Sequence, residues 1–303
     1  MRRHLVLAFL LLGLASLAAG CGSDDDDEEA APPAATGAAT TAEDECTKES
    51  LQLVEQGRLT IGTDNPAFPP WFDGGAEQGS EWELNDPATG EGYESAVAYA
   101  IAEELGFSRD EVEWVVVPFN QSFRPGPKDF DFDINQISYT DERAQAVDFS
   151  DSYYDVSQAV VTTEGSAIAD ATSVADLKDA KLGAAVGTTS YDTITEVVQP
   201  SEDAAVYDTN NDAISALKAK QIDGIVVDLP TAFFITAVQV ENGKIVGQFE
   251  GGSEQEYFAL AFEKDNPLRD CVNEALAALK EDGTLEDLEQ EWLADKASAP
   301  VLE

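Results

Sequence analysis

The segment GYESAVAYAIAEELG (92–106) decides the fold, because its pattern is helical and strand patterns flank it on both sides. Its apolar residues recur every four positions on one face: Tyr93, Val97, Ile101 and Leu105. This spacing predicts an amphipathic α-helix, and Gly106 is a common C-terminal stop. The apolar runs RLTIGT (58–63) and VEWVVVPF (112–119) predict strands. A strand–helix–strand order favours parallel pairing in an α/β fold.

The same alternation continues along the chain. Further strands are predicted in DFDINQIS (131–138), the start of AKLGAAVGTTS (180–190), IVVDLP (225–230) and YFALAFEK (257–264). Helices are predicted in NDAISALKAKQIDG (211–224) with Asp212 as N-cap, in 266–283 from Pro267 to Gly283, and in TLEDLEQEWL (284–293). We therefore expect two mostly parallel sheets flanked by helices.

Residues 1–20 predict a secretory signal, because Arg2 and Arg3 precede an apolar run that ends in small residues. The ending LAAGC resembles the lipobox of bacterial lipoproteins, in which this cysteine, Cys21, becomes the lipid-modified N-terminus. An ordinary signal peptide with a chance cysteine is the alternative. Residues 21–45 then combine the lipidated cysteine with an acidic stretch that has no Lys, Arg or aromatic residue, which predicts a disordered linker.

The body after the linker is large enough to divide into two lobes. Polar, Gly-containing segments at 162–166 and 250–256 predict the two crossings, so the first lobe is expected to contain 46–161 plus 256–303 and the second 162–255. Cys46 and Cys271 lie near the two ends of this body. In an extracytoplasmic protein such a pair predicts a disulfide, with two unpaired buried thiols as the alternative.

Composition excludes several classes of function. The chain has 60 acids against 17 Lys and Arg, for a formal net charge of −43, and no cluster of basic residues suited to nucleic acid. The one histidine, His4, lies in the predicted signal, which excludes a histidine-based triad or metal site from the body. We expect no metal and no cofactor.

Polar residues follow four of the predicted strands, in TDNPAF (63–68), NQISYTDER (135–143), GTTS (187–190) and VVDLP (226–230). Ligands of open α/β sheets bind beyond the carboxyl ends of the strands, so we expect these segments to line one cleft. The guanidinium of Arg143 suits a carboxylate. Asp228 ends an apolar strand and, if buried, needs a cationic partner. Together they predict a receptor for a zwitterion such as a free amino acid.

Each of these features also has a plainer interpretation. GTTS can cap a helix, and so can Asp228. Arg143 can form a surface ion pair of little energetic value. Aromatic residues at the strand ends can belong to the core instead of contacting a ligand: Phe68, Trp71 and Phe119. Their joint occurrence in this order favours the ligand site.

The segments LTIGTDNPAFPPW, GYESAVAYAIAEELG, ISYTDERAQAVDFSDSYY, GTTSYDTI and IDGIVVDLP resemble the extracellular solute-binding proteins of family 3, the amino-acid receptors of ABC importers. The resemblance covers residues 46–296 in order, and the pattern T-x-E-R-x-x-x-V-D-F-S is its most specific part. It implies a two-lobed periplasmic-binding-protein fold of type II that closes about a hinge.

The resemblance also implies roles for individual residues. The carboxylate-binding arginine falls on Arg143 and the ammonium-binding acid on Asp228. The remaining ligand-binding positions are Gln136 and Ser138, Thr188 and Thr189, and the rings of Phe68 and Phe119. Asp141 and Glu142 are expected to face solvent. Glu94, at a position where the family more often has Asp, is expected to be structural.

The expected function is that of a membrane-anchored extracytoplasmic receptor that binds a polar amino acid and delivers it to an ABC permease, as a monomer and without catalysis. A lyase or dehydratase acting on small carboxylates with the same fold, or a ligand sensor, are the alternatives. Without histidine in the body, and with no adjacent acid–base pair evident, the sequence favours binding over catalysis.

Overall fold

The computed structural model of the protein describes residues 46–249, 256–293 and 299–303. The predicted signal, Cys21 and the acidic linker lie outside the described residues, and so does most of the predicted crossing at 250–256. Within the described ranges, no helix is long and apolar enough to cross a membrane.

The described strands are β1 Leu59–Thr63, β2 Val112–Val116, β3 Phe132–Asp133, β4 Asp148–Phe149, β5 Tyr154–Asp155, β6 Gln158–Thr163, β7 Leu182–Ala185, β8 Ala205–Tyr207, β9 Gly224–Asp228, β10 Gly243–Phe249, β11 Tyr257–Phe258, β12 Ala261–Phe262 and β13 Val301–Leu302. The described α-helices are α1 Tyr93–Glu104, α2 Phe119–Ser122, α3 Thr189–Asp192, α4 Asn210–Lys218, α5 Leu229–Phe234, α6 Leu268–Glu281 and α7 Thr284–Leu293. Helices α3 and α5 continue as π-helical turns, Thr193–Val198 and Ile235–Gln239.

The strands form two mixed sheets, one in each lobe. The first has the order β2-β1-β3-β12-β4, with β1 parallel to β2 and β3, and β12 antiparallel to both of its neighbours. The second has the order β13-β10-β6-β9-β7-β8, in which β6 is antiparallel to β9 and β10. The strand–helix–strand units give the parallel pairs, as predicted. The strands next to the crossings run the other way, so the sheets are less parallel than expected.

The chain changes sheet at a short antiparallel ladder of β5 and β11. Strand β5 lies between β4 of the first sheet and β6 of the second, and β11 lies between β10 and β12 on the return. The first crossing was predicted at 162–166, but β6 already begins at Gln158, so the chain enters the second sheet earlier. The end of the chain also differs from the prediction, because Val301–Leu302 pair with β10 of the second sheet. There Leu302 is buried against an apolar cluster of that lobe.

Two local predictions are corrected by the structure. The N-cap of α4 is Thr209, whose hydroxyl oxygen accepts from the backbone N–H of Asp212. The predicted strand 131–138 is reduced to the two residues of β3, and Gln136, three residues after it, adopts a left-handed backbone conformation with φ of 46°. Beyond Gln136 the segment forms an antiparallel bridge to β11, between Ser138 and Phe258.

Helix α1 is buried on more than its predicted face, since Glu94 and Ser95 are as inaccessible as its apolar residues. It packs against α6 and α7 and contributes to the core of the first lobe. Gly92 precedes it with φ of 95°, and a Cβ there would lie 2.6 Å from the carbonyl oxygen of Trp71. Only glycine accommodates both the conformation and this close approach.

Cys46 and Cys271 form a disulfide with their Cα atoms 5.3 Å apart, which confirms that prediction. Cys271 lies in α6, so the bridge ties the start of the described chain to a helix 225 residues later. Closing a loop of this size stabilises the folded state by roughly 5 kcal/mol in the chain-entropy description.

Candidate functional site

A cavity of about 230 Å³ is lined by strand ends and loops from both lobes. All eight residues predicted to bind the ligand line it: Phe68, Phe119, Gln136, Ser138, Arg143, Thr188, Thr189 and Asp228. Trp71 does not, because it is 1% exposed in the core of the first lobe. For Trp71, the plainer interpretation as a core residue is the one that fits.

Arg143 is buried at the cavity rather than paired at the surface. It begins a 3₁₀ turn after the exposed Asp141 and Glu142. Its Nη1 donates to the carbonyl oxygen of Ser138 at 2.6 Å, and its Nη2 donates to that of Gly187 in the second lobe at 2.8 Å. Burial lowers the pKa of Arg143 to about 10, with nearby acids opposing the shift, so the guanidinium stays charged at neutral pH.

Two phenylalanine rings flank the guanidinium. The Arg143 Cζ atom lies 4.4 Å from the ring centroid of Phe123 and 5.6 Å from that of Phe119. Such cation–π contacts restrict where the guanidinium can point. Phe119 also lines the cavity, and so does the half-buried Phe68.

Gln136 is held by a buried carboxylate, that of Glu94. The backbone N–H of Gln136 donates to Glu94 Oε1 at 2.6 Å, its side-chain amide donates to Oε2, and the Tyr153 hydroxyl donates to Oε1. Burial raises the pKa of Glu94 to about 7, although these donors oppose the shift. Glu94 on α1 thus stabilises the left-handed conformation of Gln136, and this is the physical basis of its expected structural role.

The second lobe contributes caps. The Thr188 hydroxyl donates to the carbonyl oxygen of Ala185 at 2.8 Å and accepts from the N–H of Tyr191 at 3.3 Å, so it caps α3. Asp228 caps α5, since its Oδ1 accepts from the N–H of Thr231 at 2.8 Å. Both residues therefore cap a helix and line the cavity as well.

Asp228 is 9% exposed, and burial raises its pKa to about 6. Among the residues that the structure describes, no cation lies within ion-pair distance of it. Asp64 and Asp208 also line the cavity, and burial raises the pKa of Asp64. Three acids thus face one arginine across the described lining.

The sequence reasoning missed Glu256, which lies next to β11 and accepts hydrogen bonds from two of the predicted residues. Ser138 Oγ and Thr189 Oγ1 each donate to Glu256 Oε1 at 2.6 Å. No local pattern marks Glu256, because its partners lie 118 and 67 residues away in the chain. Asp64 could have been found, since it stands in the polar segment after β1.

A buried polar cluster lies next to the cavity in the first lobe. Within the described residues, hydrogen-bond partners are lacking for side-chain atoms of Thr63, Ser122, Asp133 and Asn135. Burial raises the pKa of Asp133 well above its ordinary value, with the Ser122 hydroxyl opposing the shift. Thr63 and Asn135 also line the cavity.

Comparison with known proteins identifies the family. The profile of the bacterial extracellular solute-binding proteins, family 3, matches residues 59–295. The L-cystine-binding protein TcyJ of Escherichia coli (strain K12) is 28% identical over 243 residues, covering 80% of this chain and 84% of that protein. The arginine-binding extracellular protein ArtP of Bacillus subtilis (strain 168) is 27% identical over 205 residues, covering 66% and 77%.

Solved structures agree with this assignment. An ancestral arginine-binding protein bound to glutamine superposes with a TM-score of 0.63 at 29% identity, covering 78% of this chain and 98% of that one. A solute receptor for L-cysteine from Neisseria gonorrhoeae superposes with a TM-score of 0.65 at 26% identity, covering 80% and 92%. These likenesses confirm the predicted two-lobed fold. The relatives are named as binding proteins rather than enzymes, which confirms the expected role in binding. The chain belongs to the bacterial extracellular solute-binding proteins of family 3.

Proposed function

We propose that the protein is an extracytoplasmic receptor that binds a free polar amino acid in the cavity between its lobes and delivers it to an ABC importer. The observation that carries this proposal is that Arg143 of the first lobe and Asp228 of the second line one cavity. A guanidinium suits the α-carboxylate, and a buried carboxylate with no cation within ion-pair distance among the described residues suits the α-ammonium. The relatives named for cystine and arginine support the substrate class.

The charges of the lining narrow the side chain of the ligand. In the described part of the lining, Asp64, Asp208 and Asp228 outnumber Arg143, so an acidic side chain would enter a negative field at short range. Neutral polar or cationic amino acids avoid this repulsion. The polar atoms of Thr63 and Asn135 at the cavity wall also favour a side chain with hydrogen-bonding groups.

We infer that the ligand acts by closing the lobes. Closed contacts already join them: Arg143 Nη2 to the Gly187 carbonyl oxygen at 2.8 Å, and Trp71 Nε1 to Thr231 Oγ1 at 3.0 Å. A ligand gripped by Arg143 and Asp228 together stabilises only the closed state and shifts the population toward it. The ladder of β5 and β11 is the natural hinge, because the chain passes between the lobes there.

The first experiment is a thermal-shift screen of the twenty common amino acids, followed by calorimetry on each hit. We expect one or a few polar amino acids to raise the unfolding temperature, and aspartate and glutamate to have no effect. The decarboxylated and deaminated analogues of each hit should bind at least 30-fold more weakly. If no amino acid stabilises the protein, or if the analogues bind equally well, the proposal is wrong.

Closure is tested at Gly187, where φ is 73° and a Cβ would lie 2.6 Å from Asn120 Oδ1 of the other lobe. Gly187→Ala should hinder closure and weaken ligand affinity about tenfold. Gly75→Ala is the matched control, because Gly75 has φ of 74° and open space around it. Equal affinity in the two variants, measured by calorimetry, would contradict the closure step.

We also propose that residues 1–20 direct export, that Cys21 is lipidated, that residues 21–45 tether the body, and that the receptor works as a monomer. Several acyl chains on one cysteine hold a protein firmly at a membrane. Cys21→Ser should therefore move the protein from the membrane fraction to the soluble fraction without changing its ligand affinity. Retention at the membrane would exclude the anchor.

A further inference from the structure

We propose that Glu256 is a positioning residue of the ligand cavity. Its carboxylate accepts hydrogen bonds from the hydroxyls of Ser138 and Thr189, so that both hydroxyl oxygens face a ligand as hydrogen-bond acceptors. The inference rests on the proposed function for its ligand and adds a residue and a polarity to that site. It places the ammonium of the ligand, rather than its carboxylate, against the hydroxyl pair.

The distances determine where the protons lie. Ser138 Oγ and Thr189 Oγ1 are each 2.6 Å from Glu256 Oε1, which is the range of a hydroxyl that donates to a carboxylate. A hydroxyl has one hydrogen and two acceptor lone pairs, whereas an ionised carboxylate only accepts. Both hydroxyl hydrogens are therefore committed to Glu256. Neither is left to donate across the 3.2 Å that separates the two hydroxyl oxygens, or toward the cavity.

Gln158 extends the same arrangement. Its Nε2 lies 3.2 Å from both carboxylate oxygens of Glu256, and its Oε1 accepts from Ser190 Oγ at 2.7 Å. These bonds fix the orientation of the Gln158 amide, which also lines the cavity. Glu256 thus organises polar groups from both lobes from a position next to the crossing strand β11.

The two charged groups of the ligand are therefore bound by different parts of the cavity. The acceptor face formed by Ser138 and Thr189 complements an ammonium, and Asp228 adds a carboxylate to that end. Burial is the main cause of the raised pKa of Asp228, and the charge of Glu256 raises it further, so the two acids interact electrostatically. The carboxylate of the ligand is left to Arg143.

The first test needs no ligand. Glu256→Gln and Thr189→Val should each lower the unfolding temperature by about 2–4 °C, since the first replaces the carboxylate acceptor of the shared bond with a neutral amide and the second removes its hydroxyl donor. The double variant should fall no further than the larger single effect, because the two side chains act through one contact. Glu164→Gln, which removes the same charge from an exposed turn, is the control and should not change the unfolding temperature. Additive effects would overturn the proposal whatever the ligand is.

The second test reads the polarity of the hydroxyl pair by calorimetry. The probes are L-arginine with 5-guanidinopentanoate and L-glutamine with 4-carbamoylbutanoate, each pair differing by the α-amino group. Thr189→Val should lower the affinity for the amino acid about tenfold and leave the affinity for the deaminated acid unchanged, because only an ammonium donates to the hydroxyl oxygen. Equal weakening of both members of a pair would mean that Thr189 donates to the carboxylate, and would overturn the proposal.

Glu256→Gln supplies the complementary result. The glutamine amide can donate an N–H to the hydroxyl oxygens, so their hydrogens are no longer committed to residue 256 and can face the ligand. Affinity for the amino acid should fall while affinity for the deaminated acid rises, which narrows the ratio of the two affinities about tenfold. A purely structural role would weaken both probes alike, and that outcome would also overturn the proposal. If no probe binds the unaltered protein, the proposed function is challenged, and the thermal cycle still decides the role of Glu256.

Discussion

The half of the cavity contributed by the first lobe is held by residues far apart in the chain, whereas Thr188 and Asp228 of the second-lobe half are held within their own turns. Gln136 depends on Glu94, 42 residues away, and Glu94 depends in turn on Tyr153, 59 residues away. Thr188 and Asp228 instead bond to backbone groups three residues away. The first half therefore requires the complete lobe to be folded, whereas Thr188 and Asp228 need little beyond their local helix caps. Thr189 is the exception in the second half, because it bonds to Glu256, 67 residues away.

This difference predicts where substitutions spread. A change in the first half should alter neighbouring side chains and stability as well as binding, because buried polar networks couple their members. A change at Thr188 or Asp228 should remain local.

Arg143→Ala should have the largest effect, a loss of about 4 kcal/mol in ligand binding or roughly a thousandfold in affinity, because a buried charge pair with the ligand is broken. It should also lower the unfolding temperature, since the bonds to the Ser138 and Gly187 carbonyl oxygens disappear. Calorimetry with the amino acid found in the screen measures the first effect. Arg58→Ala, which removes an exposed arginine, is the control and should change neither quantity.

Glu94→Gln tests the network through its pH dependence. Burial raises the pKa of Glu94 from 4.5 to about 7, so its contribution to stability is fully present below pH 4.5 and is lost as pH rises through 7. The free energy of unfolding should therefore fall by about 3 kcal/mol more over this interval in the unaltered protein than in the variant. Glu103→Gln, on the exposed side of the same helix, should retain the full decline in denaturant unfolding curves. If the free energy of unfolding has the same pH dependence in the unaltered protein, Glu94→Gln and Glu103→Gln, then Glu94 is not part of the network.

The sequence could predict those parts of the fold whose causes lie in neighbouring residues. The apolar spacing of α1 and α6 and the approximate positions of β1 and β9 follow from periodicity. The capping role open to Asp228 follows from its position after an apolar strand and before a helix. The turn at Gln136 could not be predicted, because its conformation depends on a carboxylate on a distant helix.

The candidate site was predicted less evenly. Arg143 looks locally like one half of a surface ion pair, and its burial depends on Gly187, Phe119 and Phe123. Its position in a polar segment after a predicted strand, together with the resemblance to a family, pointed toward the cavity. Glu256 escaped both kinds of reasoning, since neither a local pattern nor a family position marked its contacts with Ser138 and Thr189.

Asp228→Asn should cost at least 2 kcal/mol of ligand binding, about 30-fold, and should remove a pH dependence. Because burial raises the pKa of Asp228 to about 6, the unaltered protein should lose about tenfold in affinity for each pH unit below 6. Asparagine keeps an oxygen for the N–H of Thr231, so the cap and the unfolding temperature should be preserved. If calorimetry between pH 5 and 8 still detects the step in the variant, the titrating group lies elsewhere, with Glu94 the next candidate.

Thr188→Ala should have the smallest effect on ligand affinity, and it tests whether the Thr188 hydroxyl only caps its helix or also contacts the ligand. Loss of an N-cap hydroxyl lowers stability by about 1 kcal/mol, and Thr188→Ser, which keeps the hydroxyl, should restore it. Both hydroxyl bonds of Thr188 are made to its own turn, so ligand affinity should change less than threefold in either variant. A larger loss of affinity in the alanine variant, recovered by serine at equal stability, would mean that the hydroxyl leaves its cap when the lobes close. The second half would then rearrange on binding, and the contrast between the two halves would fail at that residue.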